Sequence, residues 1–387
     1  MVTLACLLPR AEFPSALGPL SPLVFKVNAM KIFDQTFGAR QIGELVEYLE
    51  RLRESAKDYI VDPKGVECIA IEMPSAEGQI NTAIGLNFFD GANNHVMELT
   101  PWAEKQLAEM CGIPYRYWEK MEASGKIPLI SQNVNAWFKE MSDRRLRTLD
   151  NKVRAVVSSR FKALDNYDLL LTVGEAIDGK NIGIHSADVS ETTMYLRAID
   201  YDKPFDMGDG SVVHRGILLS NSEVGKGALN VSPFSWRSLC ANGMVFGAKA
   251  IREIHAGDRL DRGIYTQETI ELEGQATFAK VKDLVTATFE NDDLFQSWLN
   301  DFKATQDVAA PEPAKIVEDL VVQRKVTEAE KNTILNRLLT SATVPPELRG
   351  TQYAIIEAVT ATARDAGADR KTELERLAAQ MVIEAVA

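Results

Sequence analysis

Two strand-like segments joined by a turn-rich loop constrain the fold of this chain more than any other feature. The segment ETTMYLRAI at residues 191–199 and the segment VVHRGILLS at 212–220 have the β-branched and aromatic composition of strands. The connecting sequence, DYDKPFDMGDG, is rich in the Asp and Gly residues typical of turns. Because parallel strands need a longer crossover, usually a helix, such a loop favours antiparallel neighbours. The sequence therefore predicts an antiparallel strand pair here.

Helices and strands are mixed along the rest of the chain without regular alternation. Helical spacing of apolar residues predicts helices at 39–60, 101–110, 114–123, 131–149, 166–177 and 272–305. Strand patterns occur at 65–89, with a loop at 75–78, and at 153–157. Because strands and helices do not alternate strictly, the predicted fold class is α+β, with an antiparallel or mixed sheet, packed helices and a C-terminal helical region.

The predicted domain organisation has three parts. Residues 1–29 are apolar but contain four prolines, so they are interpreted as an extended N-terminal tail. Residues 30–308 form the α+β core domain, and the sequence AAPEP at 309–313 is typical of a linker. Residues 314–387 form a helical tail domain, with helices predicted at 315–322, 327–340, 352–366 and 371–386.

Composition excludes several classes of protein. The chain has 387 residues, of which 45% are hydrophobic and 25% charged, and no segment has the apolar length of a membrane helix. The four cysteines are Cys6, Cys68, Cys111 and Cys240. Their scatter argues against a zinc site or a disulfide framework and favours a reducing cytoplasm. The net charge of −12 argues against a surface uniformly adapted to nucleic acid.

A basic strip nevertheless interrupts this acidic chain at residues 144–162, RRLRTLDNKVRAVVSSRFK. Its cations are Arg144, Arg145, Arg147, Lys152, Arg154, Arg160 and Lys162, against the single acidic residue Asp150. Because an anionic ligand responds to the local field, such a strip can bind phosphates on a protein that is acidic overall. The strip is therefore a candidate nucleic-acid-binding surface.

The segment GILLSNSEVGKGALNVSPFSWRSLCANGMVFG at 216–247 suggests three kinds of chemistry. A phosphate-binding loop is excluded, because Gly225-Lys226-Gly227 lacks the GxxxxGK[ST] spacing and is typical of a hairpin turn. A catalytic role for Cys240 requires a base, and the sequence does not bring a histidine to it, so a buried cysteine in a helix-like segment ending at Gly243 is favoured.

A carboxylate cluster is the third option. Mg²⁺ prefers oxygen ligands, and several acidic residues lie close together in this part of the sequence, although turns collect aspartates anyway. The candidate ligands are Asp200, Asp202, Asp206, Asp209 and His214.

Cations and an aromatic residue also lie along the same strands. Single-stranded nucleic acid is bound by grooves in which cations follow the phosphates and aromatic rings stack on bases. The residues that would extend the basic strip in this way are Arg197, Arg215, Lys226, Trp236 and Arg237. A core tryptophan with salt-bridged arginines is the structural alternative.

Three motifs in this order, VRAVVSSRFKALDN, LLSNSEVGKGAL and WRSLCANGM followed by His255, resemble the phage/plasmid-like family known as domain of unknown function 932. The resemblance covers residues 153–255 and, more weakly, both flanks. It implies a phage, prophage or plasmid context, and thus the cytoplasm of a bacterial host cell, and no established activity. The layout of a mixed core followed by a helical tail also resembles phage single-strand annealing proteins, many of which act as rings or filaments.

These observations lead to three hypotheses. The favoured one is a single-stranded DNA-binding or annealing protein of phage or plasmid replication and recombination, which acts as a homo-oligomer through a basic groove without covalent chemistry or a cofactor. The second is a metal-dependent nuclease that uses the carboxylate cluster. The third is a non-catalytic host-takeover or assembly protein that binds a protein partner through its helical tail. Whether the chain is an enzyme stays open, with a non-catalytic role favoured.

Overall fold

The computed structural model describes residues 33–74, 80–239, 241–246, 251–253 and 267–387. The strands are β1 (Gln35–Gly38), β2 (Ala56–Val61), β3 (Glu67–Pro74), β4 (Ile80–Phe89), β5 (Asn94–Leu99), β6 (Arg144–Leu149), β7 (Lys152–Ser158), β8 (Ile182–Val189), β9 (Met194–Asp200), β10 (Phe205–Asp206), β11 (Val212–Asn221), β12 (Leu229–Arg237), β13 (Asn242–Val245) and β14 (Ile251–Glu253).

The helices are α1 (Ile42–Ser55), α2 (Pro101–Met110), α3 (Tyr115–Ala123), α4 (Ile127–Phe138), α5 (Asn166–Ile177), α6 (Gln267–Glu290), α7 (Asp292–Ala304), α8 (Pro313–Val322), α9 (Glu328–Thr340), α10 (Gln352–Arg364) and α11 (Ala368–Val386). The predicted extended tail, the predicted loop at 75–78, Cys6, Cys240 and His255 lie outside the described residues.

Two sheets organise the described part of the chain. Sheet A is an antiparallel half-barrel with the order β1-β8-β9-β11-β12-β13, to which β10 and β14 add at β11 and β12. Sheet B has the order β2-β6-β7-β5-β4-β3 and is mixed, because β5 and β7 run parallel. The predicted α+β class is therefore confirmed, and the predicted antiparallel pair is β9 with β11, in which Arg197 lies opposite Leu218.

Helices α2, α3 and α4 cover one face of sheet B. The side chain of Thr100 accepts a hydrogen bond from the backbone N–H of Ala103 and caps α2, and Pro101 occupies the first turn, as the sequence predicts. In α4, the Asn135 side-chain amide accepts from the backbone N–H of Cys68 at 2.7 Å and donates to its carbonyl at 3.0 Å. This pairing satisfies backbone groups of the edge strand β3 and fixes α4 against the sheet.

Sheet A is covered by helices from two parts of the sequence. Helices α1, α5 and α6 pack on one apolar face, where Leu45, Val173 and Ile217 are buried. Helices α7 to α11 share a second apolar cluster with the sheet, which extends from Met207 to Val382. The predicted linker at 309–313 is also packed, since Ala310 is buried and donates a backbone hydrogen bond to the carbonyl of Gly350. The helical tail therefore shares a core with sheet A, and the proposed boundary at residue 308 stays a prediction.

Four predicted helices are wrong in extent or type. Helix α4 ends at Phe138, and the predicted helical residues 144–149 form strand β6, because Leu146 faces the helices while Arg145 and Arg147 face the opposite side. The predicted helix at 39–60 ends at Ser55, where strand β2 follows.

The other two corrections concern segments for which the sequence predicts one unbroken helix. The side chain of Asn291 accepts from the backbone N–H of Leu294 and caps a new helix, so the predicted helix at 272–305 is two helices. The helix-like segment ending at Gly243 is instead the end of β12, a turn, and β13. Among the described residues, no helix is both long enough and apolar enough to span a bilayer.

Candidate functional site

Arg147 and Arg154 of the basic strip lie buried between the two sheets. The Nε of Arg147 donates to Asp58 at 3.0 Å and its Nη2 donates to Asp165 at 2.8 Å. Arg154 donates through Nη1 to a carboxylate oxygen of Glu223 at 2.9 Å. These carboxylates come from β2, the start of α5 and the loop after β11. The two guanidinium groups of sheet B therefore bind residues of α5 and of the loop that follows β11 of sheet A.

Three further predicted arginines are buried in sheet A. Arg197 donates to Asp188 at 2.7 Å and to Glu375 of α11 at 2.9 Å, and its side chain is 2% exposed. Arg215 donates to Asp200 at 2.7 Å and also pairs with Asp292 of α7.

Arg237 completes this set of buried arginines. It donates to Asp209 at 2.7 Å, to Glu357 of α10 and to the hydroxyl of Ser211 at 2.8 Å. Arg197 and Arg237 therefore connect sheet A to α11 and α10 by buried, charge-assisted hydrogen bonds, and Arg215 connects it to α7 through the more exposed Asp292. A phosphate could reach Arg197 or Arg237 only by displacing a buried carboxylate.

The remaining predicted cations lie nearer the surface, and most have acidic neighbours. Arg145 pairs with Asp58 at 3.0 Å, Lys152 with Glu98 at 2.6 Å, Lys162 with Glu273, and Lys226 with Asp369. Arg144 is half-buried and Arg160 is exposed. These pairings neutralise much of the strip's charge. Phosphate binding by this set stays a prediction.

The predicted carboxylate cluster is divided among separate hydrogen bonds. Asp200 accepts from Arg215, Asp209 from Arg237, and Asp202 from the side chain of Asn181 at 2.6 Å. Asp206 accepts from the backbone N–H of Gly208. Within the described ranges, no three His, Cys, Asp or Glu side chains are arranged to hold a metal ion. The Gly225-Lys226-Gly227 turn joins β11 to β12, as predicted, with Gly225 at a φ of +77°.

Four rings instead converge on one face of sheet A, and we call them the ring cluster: His185, Tyr201, His214 and Trp236. Trp236 lies 4.5 Å from His185 and 5.7 Å from His214, measured between ring centroids. Tyr201 lies 5.7 Å from His214, and its hydroxyl is 3.5 Å from Nδ1 of His185, which closes the cycle. All four side chains are half-buried, so the cluster is accessible from solvent.

Strand register explains why these rings meet. His214 of β11 lies directly opposite Trp236 of β12, while His185 lies at the irregularity in the pairing of β8 with β9. Gly216, two residues beyond His214, lies on the same face of β11. A Cβ atom at Gly216 would lie 2.4 Å from the carbonyl oxygen of Ala198, so only glycine allows this close approach of strands beside the rings.

The ring cluster is uncharged at neutral pH. Burial, reinforced by the charges of Arg197 and Lys371, lowers the pKa of His185 to about 4. Burial also lowers the pKa of His214 and raises that of the Tyr201 hydroxyl. Nδ1 of His214 is buried and has no hydrogen-bond partner among the described residues. The cluster therefore offers neutral ring faces, which suit a planar ligand.

Lys371 of α11 lies near the ring cluster, and Arg376 follows on the same helix. Lys371 is half-buried, 3.4 Å from Asp188, and close enough to His185 to affect its pKa. Arg376 is exposed on the same helix and lies near Tyr195, whose hydroxyl donates to Asp369 at 2.8 Å. An anion attached to a planar ligand would thus meet positive charge at the edge of the rings.

Sequence reasoning identified Trp236 but not the complete cluster. The sequence indicates His214 as a possible metal ligand and does not bring His185, Tyr201 and Lys371 to Trp236. Extending the predicted hairpin through its short turn would have placed His214 opposite Trp236. The positions of His185 and Lys371 depend on longer-range packing, which no local pattern reveals.

Comparison with known proteins gives a family and no activity. No curated protein and no solved structure matches the chain. The family described as "Domain of unknown function (DUF932)" matches residues 153–381, which include sheet A from β8 onward, the ring cluster and most of the helical region. Since the match covers more than half of the chain, this protein belongs to the DUF932 family.

Proposed function

We propose that this protein binds single-stranded nucleic acid, with a base stacked on Trp236 and the adjacent phosphates near Lys371 and Arg376. The ring cluster is the observation that carries the proposal. In this account the protein does no covalent chemistry and serves annealing or protection of single strands in phage or plasmid replication and recombination.

The physical properties of the ring cluster support a base rather than a phosphate as the bound group. Proteins that bind single strands stack bases on aromatic side chains exposed on a sheet, and every base offers such a face. Trp236 provides the largest ring of the cluster, and the neutral histidines add no desolvation cost for buried charge.

The arrangement of charge predicts modest salt dependence. Each phosphate contact on a single strand contributes a slope of about −0.7 to a plot of log affinity against log salt. Two cations, Lys371 and Arg376, therefore predict a slope of about −1.4. If all seven cations of the strip at 144–162 contacted phosphates, the slope would be about −5. The measured slope thus separates the ring cluster from the strip predicted by sequence.

The direct test is fluorescence-anisotropy binding of a labelled single-stranded oligonucleotide over a salt series, with a duplex of the same sequence for comparison. We expect preference for the single strand and a shallow salt slope. Trp236→Ala should weaken binding by about fivefold to a hundredfold, because base–aromatic stacking contributes about 1–3 kcal/mol. Trp137→Ala is the matched control, since Trp137 is 53% exposed on α4, away from the cluster.

Three results would overturn the proposal. The first is absence of binding at low salt. The second is equal affinity of the Trp236→Ala variant and the wild type. The third is a slope near −5 together with loss of binding on replacing Arg144 and Arg160, which would return the site to the basic strip.

A second candidate function, binding of a protein partner, is favoured by one observation on the helical tail. Val322 at the end of α8 and Leu339 near the end of α9 are 76% and 78% exposed. Truncation after Ala309 would remove helices that share the sheet A core, so it does not separate the two functions. The double substitution Val322→Ser with Leu339→Ser does: it should abolish partner binding and leave oligonucleotide affinity unchanged.

A further inference from the structure

The face of sheet B opposite helices α2, α3 and α4 carries exposed apolar side chains. Phe89 of β4 is 61% exposed and Val96 of β5 is 52% exposed. Ile69 and Ile71 of β3 are half-buried, and a Cβ atom at Gly85 of β4 would lie 2.1 Å from Cδ1 of Ile71. We call these five residues the open face. It lies on sheet B, so it has no part in the function proposed above.

Strand register places the open face on one side of the sheet. Gly85 of β4 lies opposite Ile69 of β3. Leu86 of β4 and Met97 of β5 are buried together with residues of the covering helices. Because side chains alternate between the two faces along a strand, Gly85 and Val96 point the other way. The open face is therefore continuous across β3, β4 and β5.

The described chain begins on this side of sheet B. Phe33 is its first residue, and the guanidinium carbon of Arg154 on β7 lies 5.4 Å from the centroid of the Phe33 ring. Arg154 and Arg147 both donate to Glu223, so they project from the same side of the sheet. Since Arg147 points away from the covering helices, Phe33 lies on the side of the open face.

Strand β5 leads from Phe33 to the open face. The backbone N–H of Thr100, which follows β5, donates to the carbonyl of Val153, the residue before Arg154, at 2.9 Å. Val96 precedes Thr100 by four residues, which corresponds to about 13 Å along the strand. An extended segment of five residues spans about 17 Å, so the residues just before Phe33 are long enough to reach the open face.

The sequence before Phe33 has the composition that this surface requires. The residues at alternate positions from 23 to 29 are apolar: Leu23, Phe25, Val27 and Ala29. Since Lys26 and Asn28 lie between them, the pattern predicts an extended segment with one apolar side. Glu67 of β3 is exposed on the side of the open face, and its charge is opposite to that of Lys26 and Lys31.

We propose that the open face is the docking site of this chain's own N-terminal segment, residues 1–32, with residues 23–32 lying along β5. The apolar side of the segment covers Phe89 and Val96, which gives sheet B an apolar layer on both faces. Because the segment is joined to the sheet at Phe33, its effective concentration at the open face exceeds that of a second copy of the chain. Docking within one chain is therefore favoured.

The first test is limited digestion of the full chain with trypsin, in which cleavage after Lys26 and Lys31 is followed by mass spectrometry. A synthetic peptide with the sequence of residues 20–36 gives the rate for an undocked segment. We expect cleavage of the protein to be slower than that of the peptide by about tenfold or more, because proteolysis follows the population of the undocked form. Dilution of the protein should leave this ratio unchanged.

A pair of double variants tests whether the open face provides the protection. Phe89→Gln with Val96→Gln should raise the rate of cleavage after Lys26 by about tenfold, because both side chains lose their apolar contact with the segment. Leu129→Gln with Trp137→Gln is the matched control, since these side chains are 45% and 53% exposed on α4, on the covered side of the sheet. The control should leave the rate unchanged.

Photo-cross-linking identifies the surface that the segment contacts without altering the open face. With p-benzoylphenylalanine in place of Phe25, we expect cross-links within one chain to peptides that contain β4 or β5. Cleavage of the wild-type chain as fast as that of the peptide would overturn the proposal, as would cross-links that lie elsewhere in the chain. Protection that disappears on dilution would also overturn it, because the segment would then dock on a second copy.

Discussion

Replacing Arg237 by methionine tests whether the buried arginines hold the fold together. The change keeps an aliphatic side chain but leaves the carboxylates of Asp209 and Glu357, which are 2% and 3% exposed, without their cation. Asp209 retains hydrogen bonds from Ser211 and Tyr353, and Glu357 retains a hydrogen bond from the side-chain amide of Asn242.

The expected loss follows from this geometry. Removing one partner of a buried ion pair costs about 3–5 kcal/mol, because the other partner stays buried and uncompensated. The double variant Arg237→Met with Glu357→Gln removes one of the two stranded charges. It should therefore recover about 1–3 kcal/mol of the loss, the cost of leaving a charged hydrogen-bonding group unsatisfied.

The assay is urea unfolding at pH 7, followed by far-ultraviolet circular dichroism. Arg349→Met is the control, because Arg349 is exposed and should change the free energy of unfolding by no more than about 0.5 kcal/mol. The reasoning is refuted if Arg237→Met unfolds within about 1 kcal/mol of the wild type. It is also refuted if adding Glu357→Gln makes the protein less stable still.

Three further predictions concern titration and backbone packing. Burial, together with the charge of Glu122, raises the pKa of Glu104 to about 8. The contribution of Glu104 to stability is therefore complete below pH 4.5 and is lost as the pH rises to 8. Glu104→Gln should reduce the fall in the urea midpoint that is measured between about pH 5 and pH 8.5. The pKa of His185 is lowered to about 4, so its contribution to stability is present above pH 6.5 and is lost as the pH falls towards 4. His185→Gln should therefore reduce the loss of stability measured between pH 6.5 and pH 4. An unchanged loss of stability over this range would contradict the burial argument. Gly216→Ala should cost about 1–3 kcal/mol because of the 2.4 Å contact with the Ala198 carbonyl, while Gly274→Ala, where a Cβ meets nothing within 4 Å, should be neutral or stabilising by thermal unfolding.

Local signals explain the parts of the fold that sequence reasoning predicted well. The helix at 166–177 has the predicted bounds, and the Thr100-Pro101 start of α2 follows from its capping chemistry. The hairpin of β11 and β12 follows from its glycine turn. Each of these features depends on residues that are close in sequence, so the pattern contains the information.

Features that depend on distant partners could not be predicted in this way. Arg197 and Glu375 are 178 positions apart, and nothing near Arg197 indicates which carboxylate it meets. The segment at 144–149 was predicted as a helix because it continues an apolar pattern, but strands β2 and β7 on either side make it a central part of sheet B. The basic residues of this segment therefore predict an exposed surface, whereas in the structure Arg147 lies on a central strand and is buried.

The ring cluster is the central claim, and its histidines allow the most direct measurement. The sequence has four histidines, so their ring C–H signals in proton NMR form a small, assignable set. His95 lies on β5 of sheet B, with its ring packed at a tilt against those of Tyr59 and Phe88, and is an internal control. On adding a short single-stranded oligonucleotide, we expect the signals of His185 and His214 to shift in proportion to binding while that of His95 stays in place. Unchanged signals of His185 and His214 at saturating oligonucleotide would contradict the account.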